Sequence, residues 1–258
     1  MKFLTDNQYW NGIYARHADF AELSLEGFRN RPAYLIAQTI EQIGLLGKTV
    51  LEIGAGDSKW LTYFAKKYPS SSFSGIDYSE IGCARLAERA RRSGVAVSVF
   101  QENLFSANSP CHNKFDLVMS FGVVEHFSDL TAILLAKRRY LRCGGRLFTL
   151  IPNMAGVIGS LTKAYNKPIY EMHNPHGLES FVEGHSRAQL VIENAGYLCS
   201  NNFGVLSSCF AKRSGLYWQT YFALTRFSKA IWFLEHNVCG LPATRYFSPY
   251  IFAISRTE

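Results

Sequence analysis

Val50-Leu-Glu-Ile-Gly-Ala-Gly-Asp57 decides how this chain is read. An apolar run enters a turn with glycine at 54 and 56. Lys59-Trp-Leu-Thr-Tyr-Phe-Ala-Lys-Lys67 then follows with helical spacing, placing Leu61, Phe64 and Ala65 on one face. Glycine lets backbone approach a ligand without a Cβ in the way. In an open parallel sheet, ligands bind beyond the carboxyl ends of the strands, and this turn stands at that edge.

Outward from the turn, short apolar runs alternate with helical patterns, the signature of βαβ units. The expected strands are 49–53, 72–76, 95–100, 115–120 and 145–151. The expected helices are 33–43, 59–67, 79–92 and 128–142, the last stopping before Cys143-Gly144-Gly145. Residues 152–185, rich in Pro, Gly, Asn and His, read as a loop-dominated insertion. Residues 186–195 read as a helix ending at Gly196, with 197–205 and 246–255 as sixth and seventh strands. The fold class is α/β: a doubly wound, mostly parallel seven-stranded sheet with helical and loop insertions forming a lid. One domain spans 1–258: a helical cover at 1–44, a cofactor-binding core at 45–152, and substrate-side insertions at 153–185 and 206–245.

The chain has 258 residues, of which 48% are apolar, 14% aromatic and only 18% charged, which excludes a disordered polymer. A formal charge of +7 favours anionic partners. Its tightest clusters, Arg89, Arg91, Arg92 and Lys137, Arg138, Arg139, Arg142, fall on expected helices and read as solvated faces. Six cysteines without a CxxC pair read as free thiols. No apolar leader opens Met1–Tyr14 and no uncharged run is long enough to span a bilayer, so a cytoplasmic location is expected.

Two cofactor classes use a glycine turn of this kind. A dinucleotide wants a third glycine, but Lys59 holds that position, although Asp77 would serve as the ribose acid. Glu52 would repel a pyrophosphate, whereas it suits S-adenosylmethionine (SAM), whose methionyl end carries an ammonium beside a sulfonium. Here the sequence resembles the class I SAM-dependent methyltransferases of small-molecule type. The matching stretches are Glu52-Ile-Gly54-Ala-Gly56-Asp-Ser58, Gly75-Ile-Asp77-Tyr78, Gln101-Glu-Asn-Leu-Phe105, Phe115-Asp-Leu-Val-Met-Ser-Phe-Gly-Val-Val-Glu-His-Phe127 and Leu141-Arg-Cys-Gly-Gly-Arg-Leu-Phe148, in the family's order. Ser58 replaces a frequent third glycine. The resemblance implies a last strand inserted antiparallel between the fifth and sixth. It implies SAM as cofactor, with Glu52, Gly54, Ala55, Gly56, Asp77, Tyr78, Asn103, Leu104 and Ser120 as its contacts. Tyr9-Trp10 and Tyr14 resemble a leading segment that helps cover the cofactor.

SAM brings its own electrophile, so the protein mainly aligns the reactants and excludes water. A hydroxyl acceptor would use a base, and His126 and His185 are the catalytic candidates, with His173 and His176 behind them. Glu125, His126 and Asp129 offer metal ligands without metal-site spacing, so no metal is expected. Residues 215–236 are apolar over a wide arc, with Arg226 and Lys229 as cations. That segment suits peripheral contact with a membrane, packing on the domain, or a homodimer. The function expected is methyl transfer to an O or N atom of a small molecule: a metabolite, a sugar, or a natural-product or lipid-linked intermediate. RNA methylation is the alternative, but no basic stripe or added binding domain supports it, and nothing points to DNA. A non-catalytic SAM-binding protein is the third reading, against which the intact glycine turn stands.

Overall fold

A computed structural model describes residues 3–16, 20–210 and 214–258. The expected cover at 1–44 and insertion at 206–245 therefore each include residues outside the described set. The strands are β1 (Thr49–Ile53), β2 (Ser72–Asp77), β3 (Ser98–Gln101), β4 (Phe115–Phe121), β5 (Leu141–Pro152), β6 (Val191–Leu198) and β7 (Tyr250–Arg256). They form one sheet in the order β3-β2-β1-β4-β5-β7-β6. β1 pairs in parallel with β2 and β4, and β4 pairs in parallel with β5. β7 lies antiparallel between β5 and β6. The chain winds outward from β1 in one direction and from β4 in the other, so the crevice between their carboxyl ends is the switch point where such sheets bind ligands.

Alternation along the central strands builds two cores. Val50, Leu117, Met119 and Phe148 face α2 (Arg31–Glu41), α3 (Lys59–Lys67) and α4 (Glu80–Ser93), packing against Ile40, Phe64 and Leu86. Leu51, Ile53, Val118 and Leu147 face the other way, onto Ile133 and Leu134 of α5 (Leu130–Arg138) and Phe181 of α8 (Leu178–Arg187). Glu52 shares the side of Val50, so a carboxylate occupies a position patterned for a hydrophobe.

The insertion after β5 is helical, which corrects the expected loop: α6 (Val157–Tyr165), α7 (Lys167–Glu171) and α8. Its loop-forming residues sit at the helix starts. Gly156 and Gly177 hold the N-cap positions of α6 and α8, and Asn166 caps α7 by accepting from the Ile169 amide, with Pro168 in the first turn. Residues 191–195 are strand rather than helix, and 197–205 passes into a short 3-10 helix at Phe203–Cys209. β6 carries a bulge between Ile192 and Asn194, so the residues packed on the core are Ile192, Ala195 and Tyr197. The first of those steps is three residues, the spacing of a helix face.

β5 begins at Leu141, ahead of the glycines expected to end a helix. Its register with β4 shifts between Phe115 and Leu117, and Gly144 there takes φ +70°. The basic clusters also divide. Arg91 and Arg92 are exposed and pair with Glu88. Arg89 is buried against Asp57, and Lys137 is wholly buried. α9 (Leu216–Asn237) rests on the 3-10 helix through Ser228 and Trp232, leaving Phe222, Phe227 and Phe233 about half exposed. All six cysteines are unpaired. No helix among the described residues is long and apolar enough to cross a membrane.

Candidate active site

A cavity of about 400 Å³ opens at the carboxyl ends of β1, β2 and β4. Gly54, Asp77, Tyr78, Asn103, Leu104 and His126 line it. A wider depression along α5 and the start of β5 is lined by no residue of the glycine turn.

The glycine turn is held by its own backbone. The amides of Gly54 and Ala55 donate to the carbonyl of Ile76 at 2.9 and 3.0 Å, folding the turn over the end of β2. Gly54 takes φ +75° and Gly56 φ +35°, and a Cβ at Gly54 would fall 2.5 Å from a Val123 methyl. The Gly56 amide donates to Asp77 Oδ2 and the Ser79 amide to Oδ1, each at 2.8 Å. Asp77 is thereby aimed along the cavity floor. Burial raises its carboxyl and these hydrogen bonds oppose the rise.

Glu52 does not line the cavity. It lies behind the turn, 3% exposed, accepting from the Ser58 hydroxyl at 2.6 Å. Ser58 in turn caps α3, its oxygen accepting from the amides of Trp60 and Leu61. Burial pushes Glu52 up to about 8, and it has no ion pair among the described residues. Ala55 is buried, and neither it nor Gly56 lines the cavity. Asn103 is exposed at the rim, its side-chain oxygen accepting from the Phe105 amide. Ser120 is fully buried and accepts from Lys137 Nζ at 2.6 Å, away from the cavity.

α1 (Asn7–Arg16) straps the cleft. The Leu4 amide donates to the His126 carbonyl, and the Trp10 ring stands edge-on to the His126 ring at 5.4 Å. The Tyr14 hydroxyl donates to Asp77 Oδ2 at 3.4 Å. Its ring rests on the glycine turn so closely that a Cβ at Gly56 would lie 2.1 Å from the hydroxyl. Aromatic residues at 10 and 14 signalled this strap in the sequence. That Gly56 yields its space to a side chain was not legible there.

The two histidine candidates separate. His126 ends a 3-10 turn after β4, lines the cavity, and gives its Nδ1 hydrogen to the Met172 carbonyl at 2.7 Å. A carbonyl only accepts, so the Nε2 lone pair is free of that bond; burial keeps the ring neutral by lowering its pKa. His185 has no exposed surface and does not line the cavity. It sits within α8, bonded to the Phe181 carbonyl at 2.8 Å and edge-on to the Phe181 ring. α8 packs on α5 below the crevice instead of roofing it. Asp129 caps α5 through the Ala132 amide. His173, which the sequence ranks behind these two, follows α7 and stands 4.7 Å, ring to ring, from His126. No local spacing could have linked the pair.

Residues 51–147 match the family model described as a methyltransferase domain. Over that stretch the chain is similar to methyltransferase domains. The chain is 32% identical over 108 residues to a ubiquinone biosynthesis O-methyltransferase of Pseudomonas paraeruginosa, covering 42% of this chain and 46% of that protein. The chain thus matches about half the length of that relative. Among solved structures, a geranyl diphosphate C-methyltransferase from Streptomyces coelicolor aligns over 98% of both chains with TM-score 0.62 and 12% identity. The cyclase SpnF aligns over 97% of this chain and 92% of its own with TM-score 0.63 and 16% identity. These likenesses establish the fold of the chain; a cyclase among them shows that the fold alone does not fix the reaction.

Proposed function

We propose that the chain transfers the methyl group of SAM to an oxygen of an apolar, ring-bearing small molecule. The observation that carries this reading is that Gly54 and the Asp77 carboxylate, held by the Gly56 amide, meet in one cavity at the switch point of the sheet. The residues present suit that cofactor. Asp77 offers its carboxylate to the ribose hydroxyls, with Tyr78, Asn103 and Leu104 along the adenine side. Glu52 is a buried carboxylate without a cation, directly behind the turn where the methionyl ammonium would lie. When bound, SAM supplies an electrophilic methyl on a sulfonium, so the C–S bond breaks as the C–O bond forms.

The protein's own part is to position the acceptor and take its proton. Phe3, Phe105 and Phe127 form an edge-to-face cluster at the cavity wall, with centroids 5.2–5.7 Å apart. Such a wall suits an aromatic acceptor. His126 presents Nε2 as the proton acceptor, its orientation fixed by Met172. The oxygen acceptor is also consistent with the name of the Pseudomonas relative. Trp10 and Tyr14 close the cleft against water from above.

The outward face of α9 adds a second element to this reading: contact with an anionic bilayer surface. Phe222, Phe227 and Phe233 project beside Arg226 and Lys229. The only acid on the helix, Glu235, is buried against Arg31. An aromatic face bearing cations alone is complementary to anionic headgroups and repels a second copy of itself. A lipid-borne acceptor would then be met at the surface that holds it.

Calorimetric titration with S-adenosylhomocysteine tests the cofactor assignment. Micromolar binding is expected, weakened at least tenfold in Asp77→Asn. Absence of binding by the folded wild-type chain overturns it. A gain of one methyl mass on a phenolic acceptor, lost in Asp77→Asn, tests the transfer.

A further inference from the structure

Glu125, His126 and His173 bring one carboxylate oxygen and two imidazole nitrogens within 4.8 Å of one another. We propose that they form a binding site for a divalent transition-metal ion of the zinc type, beside the acceptor end of the cavity.

Three independent features of these side chains point to a cation. Both rings use Nδ1 to donate to backbone carbonyls, His126 to Met172 and His173 to Ile169, each at 2.7 Å. That fixes the tautomer with the Nε2 lone pairs available, the arrangement found where histidines ligate metals. Glu125 is 1% exposed, and its Oε2 has no hydrogen-bond partner and no ion pair among the described residues. A buried carboxylate left in that state is costly unless something neutralises it. The nearby buried amine, Lys137, gives its hydrogen bond to Ser120 instead. Finally, the cluster borders the cavity: His126 and Gly122 line it, and Glu125 Oε1 lies against Gly122.

The geometry admits such an ion with a small contraction. With every edge no longer than 4.8 Å, an ion at the centre would stand at most about 2.8 Å from each ligand atom, against about 2.1 Å required. Each ligand atom must therefore close in by no more than roughly 0.7 Å, within the reach of side-chain torsions. Two imidazoles and one carboxylate select zinc, cobalt, iron or nickel over magnesium and calcium, which prefer oxygen. Three protein ligands leave a further position toward the cavity. An acceptor hydroxyl bound there loses its proton to solvent more readily, leaving an oxygen nucleophile for the methyl group. That role rests on the methyl-transfer reading above; the site itself does not.

The test uses the full chain, stripped of metal, without cofactor or acceptor. Equilibrium dialysis against zinc is expected to give one tightly held ion per chain. Affinity should fall at least tenfold in His173→Ala and in Glu125→Gln, and remain unchanged in His236→Ala on the exposed end of α9. Cobalt in place of zinc should give the visible absorption of a low-symmetry site, absent in His173→Ala. If a variant misfolds, the wild-type melting temperature decides, since it must rise with added zinc. No stoichiometric zinc in the wild type, or zinc retained by folded His173→Ala, overturns the site. Zinc binding without S-adenosylhomocysteine binding would sink the proposed reaction and leave the metal site standing. The reverse result would leave His126 alone as the base.

Discussion

Glu52→Gln isolates the effect of burying an unpaired acid beneath the glycine turn. Burial raises the Glu52 carboxyl from 4.5 to about 8 in the folded chain. Between those values the folded state keeps a proton that the unfolded state has released, so stability falls as pH rises. A tenfold change in proton affinity is worth about 1.4 kcal/mol, so the gap from 4.5 to about 8 bounds the whole effect at about 5 kcal/mol. Glutamine has nearly the same shape. The single Ser58 hydroxyl proton goes to Glu52, because the Ser58 oxygen already accepts from Trp60 and Leu61. A glutamine carbonyl can receive that proton equally well. The variant should therefore lose pH dependence without losing the cap. From pH 5 to pH 7 the stability difference between variant and wild type should move by about 2.5 kcal/mol in the variant's favour. Urea unfolding at half-unit intervals of pH measures it. Glu125 and the buried histidines titrate in both proteins and cancel. Lys137, lowered to about 7 by burial, begins to titrate within that range but does so in both proteins and cancels as well. Parallel curves would refute the claim that Glu52 is held protonated in the free protein.

Further substitutions probe the strap, the core, the base and the lipid face. Gly56→Ala would set a Cβ 2.1 Å from the Tyr14 hydroxyl, so α1 should lift; faster tryptic cleavage before Phe20, with an unchanged far-ultraviolet spectrum, is the expected signature. Phe64→Ala removes a ring with no exposed surface from between α3 and the sheet, and should cost about 3–5 kcal/mol by urea unfolding. His126→Gln should lower the transfer rate constant about 10²-fold while leaving S-adenosylhomocysteine affinity within a factor of about two, as measured by initial rates and calorimetry. Serine at Phe222, Phe227 and Phe233 should abolish flotation with vesicles containing phosphatidylglycerol; wild-type chain that fails to float, or that elutes as a dimer closing this face, would contradict lipid contact.

The central strands were legible because burial on both faces forces near-continuous apolar runs, as in Val50–Ile53 and Phe115–Ser120. The glycine turn was legible because positive φ at 54 and 56 restricts the residue choice. The errors have equally local causes. The β6 bulge gave an edge strand the spacing of a helix. In the insertion, glycine, asparagine and proline marked helix starts, yet their density resembled a loop. Lys137 reads as a solvated charge in the sequence because its helix carries other basic residues; nothing local reveals that it points under β4 toward Ser120. His185 was misplaced for the same reason as its helix. Its value as a base depended on which side of the sheet the insertion covered, a tertiary choice set by Phe181 entering the core against α5.

The charge pattern of the cleft ties the two assignments together. Asp6, Asp77 and Glu102 line it, and Glu52 and Glu125 lie behind its wall; Glu52, Asp77 and Glu125 are all at least 95% buried and all raised by burial. No lysine or arginine lines the cavity among the described residues. The chain carries a formal charge of +7, yet its cations lie elsewhere. A fold under no other demand would fill these positions with apolar residues, since burying uncompensated acids lowers stability. The arrangement makes physical sense when the ligands bring the positive charge. The methionyl ammonium would meet Glu52 and a metal ion would meet Glu125, while Asp77 serves the ribose hydroxyls beside the sulfonium. Once the methyl group has left, the sulfonium becomes a neutral thioether, and the cleft holds the product with one attraction fewer. On this reasoning SAM should bind more tightly than S-adenosylhomocysteine in the wild type, and Glu52→Gln should weaken both, since both carry the ammonium. Equal affinities in the wild type would show that the cleft does not read the sulfonium, and unchanged affinities in Glu52→Gln would separate Glu52 from cofactor recognition.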